Sequence, residues 1–393
     1  MKRKIVITGL CLFVLLSAGW VLRLAAKQQT QKIRTTPAPA LRVEPAKDSD
    51  ATGKTVAAAK AFLTTLDDAG RAKVSFAFNS DQKTKWSNLP VGIYPRNGLR
   101  WGDLTAAQRE AALKLLSTAL SKQGLQKVKE IMEGDEVLKT PESGRAGGPA
   151  GGPPGGGPPD GRRPGDGPPG GRGVGARGPN FGRDEYYLAL LGTPSLTEPW
   201  MIQFGGHHLA INLTIVGKSN VLTPSLPAAQ PSIYKLNGET VRPLGRENDK
   251  SFALINSLNT AQQKQAILNY QVGDLVLGPG EDGKTIQPEG IKAPALNAAQ
   301  QQMLLDLVRE WVGILNDEAA AAKMSEIKSN LPETWFAWSG PTTNGSSAYF
   351  RIQGPTLLIE YSPQGTRGSV APNHIHTIYR DPTNDYGERL AKR

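Results

Sequence analysis

At 393 residues the chain is long enough for one large core or two modest domains. Its 38% hydrophobic and 21% charged residues exclude a wholly disordered chain. The net charge of +11 is scattered, without a basic helical stripe or interleaved aromatics, so it reads as a basic surface and not as a nucleic-acid face.

The N-terminus sets the compartment. Lys2, Arg3 and Lys4 precede a nearly uninterrupted apolar run from Ile5 to Leu22, the layout of a secretory signal or uncleaved signal anchor over 1–26. This predicts export to the periplasm or cell envelope, with attachment to the inner membrane through the segment if it stays uncleaved. The single cysteine, Cys11, lies inside that run, so the remaining chain can form no disulfide and offers no thiolate ligand. Residues 27–54, polar and carrying Pro37, Pro39 and Pro45, read as a linker.

From 55 to 393 the pattern predicts a single α+β domain. "LTAAQ" at 104, "LNTAQ" at 258 and "LNAAQ" at 296 each place Thr or Asn three residues before Gln, a capping box that opens a helix. "LDDAG" at 66 is a weaker copy. Behind the third box, Met303, Leu304, Leu307, Val308, Trp311 and Val312 share one helical face; Leu113, Leu116 and Leu120 do the same behind the first. The stretch 145–183 is so rich in Gly and Pro that it cannot bury enough apolar area to order itself, and it reads as a disordered loop inside the fold.

Strand candidates follow at 186–192, 200–204, 208–217, 348–354, 356–362 and 374–380, each β-branched or aromatic and bounded by Gly or Pro. They predict a mostly antiparallel sheet with helices on one face, and a turn at Gly354-Pro355.

The chain has only four histidines, spent in two doublets: "GGHHL" at 205–209 and "NHIHT" at 373–377. On a strand, His374 and His376 share a face with Cβ atoms about 7 Å apart, suited to two imidazoles on one metal. If His207 and His208 are also in strand they face opposite ways. His208 falls on the polar side with Asn212 and is the preferred third ligand, with His207 the alternative. Three imidazoles suit Zn, Cu or Fe. Glu360, inside the apolar strand "TLLIEY", needs a partner if charged, and is a candidate carboxylate ligand. Arg351, Arg380 and Asp381 are candidate catalytic groups, the arginines stabilising an anion and Asp381 offering a second carboxylate. The same residues also fit a structural arrangement, with Arg351 paired to Glu360 and the histidines bonded to backbone. Trp86, Arg96, Trp101, Trp335 and Trp338 either wall a pocket or fill the core.

At "GLRWGDLTAAQREAALKLL", "EYYLALLGTPS", "GGHHLAINLTIVG", "TWFAWSGP", "YFRIQGPTLLIEY" and "NHIHTIYRDPTNDYG" the chain resembles the bacterial family called domain of unknown function 3500, from about Ala57 to Leu390. The resemblance implies an exported protein and carries no activity with it. The expected function is a metal-assisted site, hydrolytic or oxidative, acting on a small molecule. The alternative is a cell-envelope module that binds a small ligand without chemistry.

Overall fold

The computed structural model describes residues 44–48, 50–139, 179–364 and 372–391. The predicted signal segment lies outside them, as does most of the Gly/Pro-rich loop. Among the described residues no helix is long and apolar enough to cross a membrane.

Nine α-helices and fourteen strands are described. The helices are α1 (Ala51–Thr64), α2 (Asp68–Val74), α3 (Ala106–Ala119), α4 (Lys122–Leu138), α5 (Gly245–Ser257), α6 (Thr260–Ala266), α7 (Ala298–Val312), α8 (Asp317–Ser329) and α9 (Glu388–Ala391). Their starts follow the sequence. Thr105 with Gln108, Asn259 with Gln262, and Asn297 with Gln300 all form reciprocal capping boxes, and Asp67 of "LDDAG" caps α2 through Gly70.

One sheet holds β1 (Ser75–Phe76), β2 (Leu99–Arg100), β3 (Tyr187–Leu191), β4 (Trp200–Gly206), β5 (Leu209–Val216), β6 (Ser219–Val221) and β7 (Leu226–Pro227). β8 (Tyr234–Leu236) and β9 (Glu239–Val241) form a separate hairpin. The second large sheet orders β10 (Ile291–Lys292), β11 (Trp335–Ser339), β12 (Tyr349–Gly354), β13 (Leu357–Gln364) and β14 (His374–Arg380), antiparallel throughout. Helices cover one face of each sheet: Phe62, Leu115 and Ile131 pack against Phe204 and Leu213, while Leu304, Trp311 and Ile255 pack against Phe336 and Ile359. The other face carries a third core built on Trp86, Leu277, Ile286, Met201 and Ile378. The fold is α+β, as its sequence pattern predicts.

The recurring caps have a structural cause: the chain is folded as two copies of one plan. In the first, β3 pairs β4 from Tyr187↔Gly205 to Leu191↔Met201; in the second, β11 pairs β12 from Trp335↔Gln353 to Ser339↔Tyr349. The hairpins close identically, at Gly206↔Leu209 and Gly354↔Leu357. Ser75 and Phe76 run parallel to β3, and Ile267 makes the matching parallel bridge to Trp338. Gly98 and Gly290, at φ 105° and 95°, precede β2 and β10, where a Cβ would collide with the carbonyl oxygens of Leu188 and Phe336. Thus α1 to α4 correspond to α5 to α8.

The segment 222–232 stitches the two sheets together. Ser225 and Ala229 exchange backbone hydrogen bonds with Tyr379 and Ile375 of β14, at 2.8 to 2.9 Å. From the other edge, Leu226 and Pro227 pair with Ala210 and Leu209, and Ala228 N–H donates to the His208 carbonyl at 2.8 Å. Pro227 falls between Ser225 and Ala229, where its missing N–H leaves one gap in the ladder to β14, and the Thr377 hydroxyl donates to the Pro227 carbonyl there.

Two expectations are corrected here. His207 and His208 are not strand residues; they are the two turn residues between β4 and β5, with His208 at φ 61°. The expected loop 145–183 also ends too late. Asn180 bridges Val91, and Arg183 begins a short 3-10 helix, so 179–183 belong to the fold.

Candidate metal centre

The stitching strand places the β4–β5 turn beside the first residues of β14. All four histidines of the chain therefore meet. His208 Nε2 lies 2.8 Å from His374 Nε2. Ring centroids of His208 and His376 are 5.5 Å apart, those of His374 and His376 4.5 Å, and those of His207 and His208 3.6 Å. One ligand atom from each of His208, His374 and His376 lies within 4.8 Å of the other two. The left-handed backbone at His208 aims its ring inward, a conformation that His adopts more readily than most side chains.

Two carboxylates flank the row. His376 Nδ1 bonds Asp274 Oδ1 at 2.9 Å, which assigns its proton to Nδ1 and makes Nε2 a lone-pair donor to a metal or an acceptor for the Asn88 amide. The Asn88 amide nitrogen sits 3.2 Å from that Nε2. At the other end, His207 Nδ1 bonds Asp135 Oδ1 at 2.6 Å, and Phe181 packs on the His207 ring at 5.0 Å. His207, His208 and His376 are buried, His374 is part-buried, and Asp274 is about half exposed, which marks the side open to solvent.

Burial and crowding keep the inner rings neutral. Burial pushes His208 well below the usual imidazole range, and the adjacent His207, His374 and His376 push the same way. Burial and His376 together take His374 down to about 3. Burial raises the Asp135 carboxyl, which His207 only partly opposes. Burial also raises Asp274, but its hydrogen bonds from His376 and from the Leu275 amide outweigh it and hold the carboxyl below its usual value. The neutral His208 and His374 rings, beside His376 with its Asp274 partner, form a set of nitrogen donors suited to a borderline cation.

Residues 48–388 match the family model described as "Protein of unknown function (DUF3500)". The chain belongs to the DUF3500 family. No curated protein and no solved structure matches it. The family match agrees with the resemblance carried by the motifs above.

In this DUF3500 member the remaining candidate residues sit elsewhere. Glu360 accepts from the Val276 and Leu277 amides, at 2.9 and 2.8 Å, and from the Tyr349 hydroxyl at 2.5 Å. It needs a partner, as its apolar setting implies, but it is not brought to the imidazoles. Arg351 stands opposite Glu360 in register, yet its hydrogen bond goes to Glu289 at 2.8 Å. Arg380 is spent on the Leu277 and Gly278 carbonyls, Asp282 and Asp385. Asp381, at the far end of β14, bonds Lys323 and Thr383.

Arg96 donates to the Gly206 carbonyl at 2.8 Å, tying its loop to the turn. Trp86 joins the third core and bonds Tyr386, and Trp101 and Trp338 are buried in the two helix-side cores. Trp335 stays part-buried, with Lys292 over its ring. Asp135, Asp274 and Asn88 are contributions that no local sequence pattern announces; they come from the end of α4 and from two loops.

Proposed function

We propose that this protein holds a transition-metal ion on His208, His374 and His376, with Asp274 orienting His376, and uses it in metal-assisted chemistry on a small molecule. One observation carries the proposal: three imidazoles from two distant segments present ligand atoms within 4.8 Å of one another. A structural role for such a group is unfavourable, since a buried neutral ring is normally satisfied by backbone or a carboxylate, whereas among the described residues His208 and His374 meet only each other through Nε2.

Three protein nitrogens leave one position of a tetrahedral ion for water, whose pKa falls to about 7 on zinc. The chemistry favoured is hydrolysis through that water. The residues' part is to fix the ligand tautomers and exclude bulk water from the inner face. The basic n-region and apolar run at 1–26 support the further proposal that the protein works outside the cytoplasm, in the cell envelope.

The test is zinc and copper affinity of the full chain by competition with a chromophoric chelator. The wild type should bind with a dissociation constant far below micromolar, and H374A and H376A should each weaken it at least a hundredfold. Equal affinities in all three proteins would refute the site. Hydrolysis of p-nitrophenyl esters by the zinc-loaded protein, lost in H376A, tests the reaction; equal rates in both would refute hydrolysis there.

A further inference from the structure

We propose that the cluster binds a second cation on Asp135, His207 and His208, with the His208 imidazole shared between the two ions. The inference rests on the first site being a metal site. Among the described residues two buried polar atoms of this group have no hydrogen-bond partner: His208 Nδ1 and Asp135 Oδ2. Their residues are only 2% and 1% exposed. Buried polar atoms are nearly always paired, so two orphans in one group call for a missing partner. Asp135, His207 and His208 each present a ligand atom within 4.8 Å of the other two.

The polar neighbours leave both atoms unpaired. The Tyr186 hydroxyl donates to the His207 carbonyl at 2.7 Å while also lying against the Asp135 carboxyl, and Arg96, which attracts that carboxyl from a distance, bonds the carbonyls of Ser87, Leu89 and Gly206. A buried carboxylate whose second oxygen is unpaired is a ready ligand for a divalent ion.

The duplicated plan supplies an internal control. Asp135 and Asn330 occupy equivalent places, each fourteen residues past the N-cap of its helix, Ser121 of α4 and Asn316 of α8. His208 and Thr356 are equivalent turn residues in hairpins of identical register. In the second copy Asn330 donates to the Thr356 hydroxyl at 3.3 Å, an ordinary neutral pair. The fold is therefore served by an amide and a hydroxyl. Ionisable donors at the same places in the first copy answer to a ligand and not to folding. Sharing His208 uses both ring nitrogens, so its one N–H proton leaves to solvent as the second ion binds.

The test is a copper(II) titration of the full chain followed by electron paramagnetic resonance. The wild type should take two equivalents, and the second should quench the signal of the first through coupling across the shared ring. D135N, which installs the residue type that the second copy uses, should bind one uncoupled copper, and so should H207Q. A wild type saturating at one copper, or a second copper that is uncoupled or indifferent to D135N and H207Q, would overturn the second site and leave the first intact. No bound copper at all would bring down the first site as well.

Discussion

His208 Nε2 lies 2.8 Å from His374 Nε2, across 166 residues of chain. Neither ring is placed by its own neighbours in sequence. The meeting depends on segment 222–232, which hydrogen-bonds the His208 carbonyl from Ala228 while Ala229 pairs with Ile375, next to His374. A site assembled through backbone pairing of two sheets is rigid, because moving either ring breaks ladder hydrogen bonds. Such rigidity is what a set of metal ligands requires.

Asp274 should matter through His376. An aspartate-to-asparagine change removes the charge that fixes the Nδ1 proton, and loss of such an outer partner typically costs 10- to 100-fold in metal affinity. Because Asp274 is half exposed, D274N should lie at the lower end, about tenfold, with only a small loss of thermal stability. A chelator competition assay giving wild-type affinity for D274N would contradict the assigned tautomer.

The backbone at position 208 can be probed separately from the ring. His208 holds φ at 61°, a region that costs a non-glycine residue about 1 to 2 kcal/mol. H208G and H208A both delete the imidazole, yet H208G should be the more stable by about 1 kcal/mol in urea unfolding. Alanine equal to or better than glycine would mean that the turn is not strained.

Much of this architecture is legible in the sequence. The six strand candidates fall within about two residues of the observed strands, and the three capping boxes open the helices expected of them. The β4–β5 turn is illegible because "HH" carries no turn signature: the glycines come before it, so the run reads as the head of a strand. Segment 222–232 is hidden by three prolines, which normally mark loops, although Ser225 and Ala229 on either side of Pro227 still pair with β14. The histidine doublets announce a site, but Asp135 and Asp274 lie 72 and 102 residues from the rings they hold. Glu360 illustrates the limit of strand register: its need for partners follows from burial, while their identity depends on a loop that crosses the sheet.

The two copies are joined by buried charge. Lys127 of α4 pairs with Glu247 of α5 and also donates to the Glu310 carbonyl of α7 at 3.2 Å. Removing one partner strands the other, at a cost of about 3 to 5 kcal/mol. K127M and E247L should each lose that much in denaturant unfolding, and the double variant should lose clearly less than the sum. Strict additivity would show that the pair does not hold the copies together.

Trimming the Gly/Pro-rich stretch should be harmless if cut within 145–176. The chain leaves the described fold after Lys139 and re-enters at Pro179, and Gly182 packs against the Lys139 side chain, so the two ends are already adjacent. Shortening such a loop changes closure entropy by about 0.6 kcal/mol per halving. A stability loss above about 2 kcal/mol would mean that the stretch packs on the fold.

The most direct measurement is an X-ray structure of the full protein loaded with zinc or copper, with data collected across the metal's absorption edge. The account predicts an anomalous peak about 2.0 to 2.1 Å from an imidazole nitrogen of each of His208, His374 and His376. A loaded crystal with no peak there, or with its metal on other residues, would contradict it.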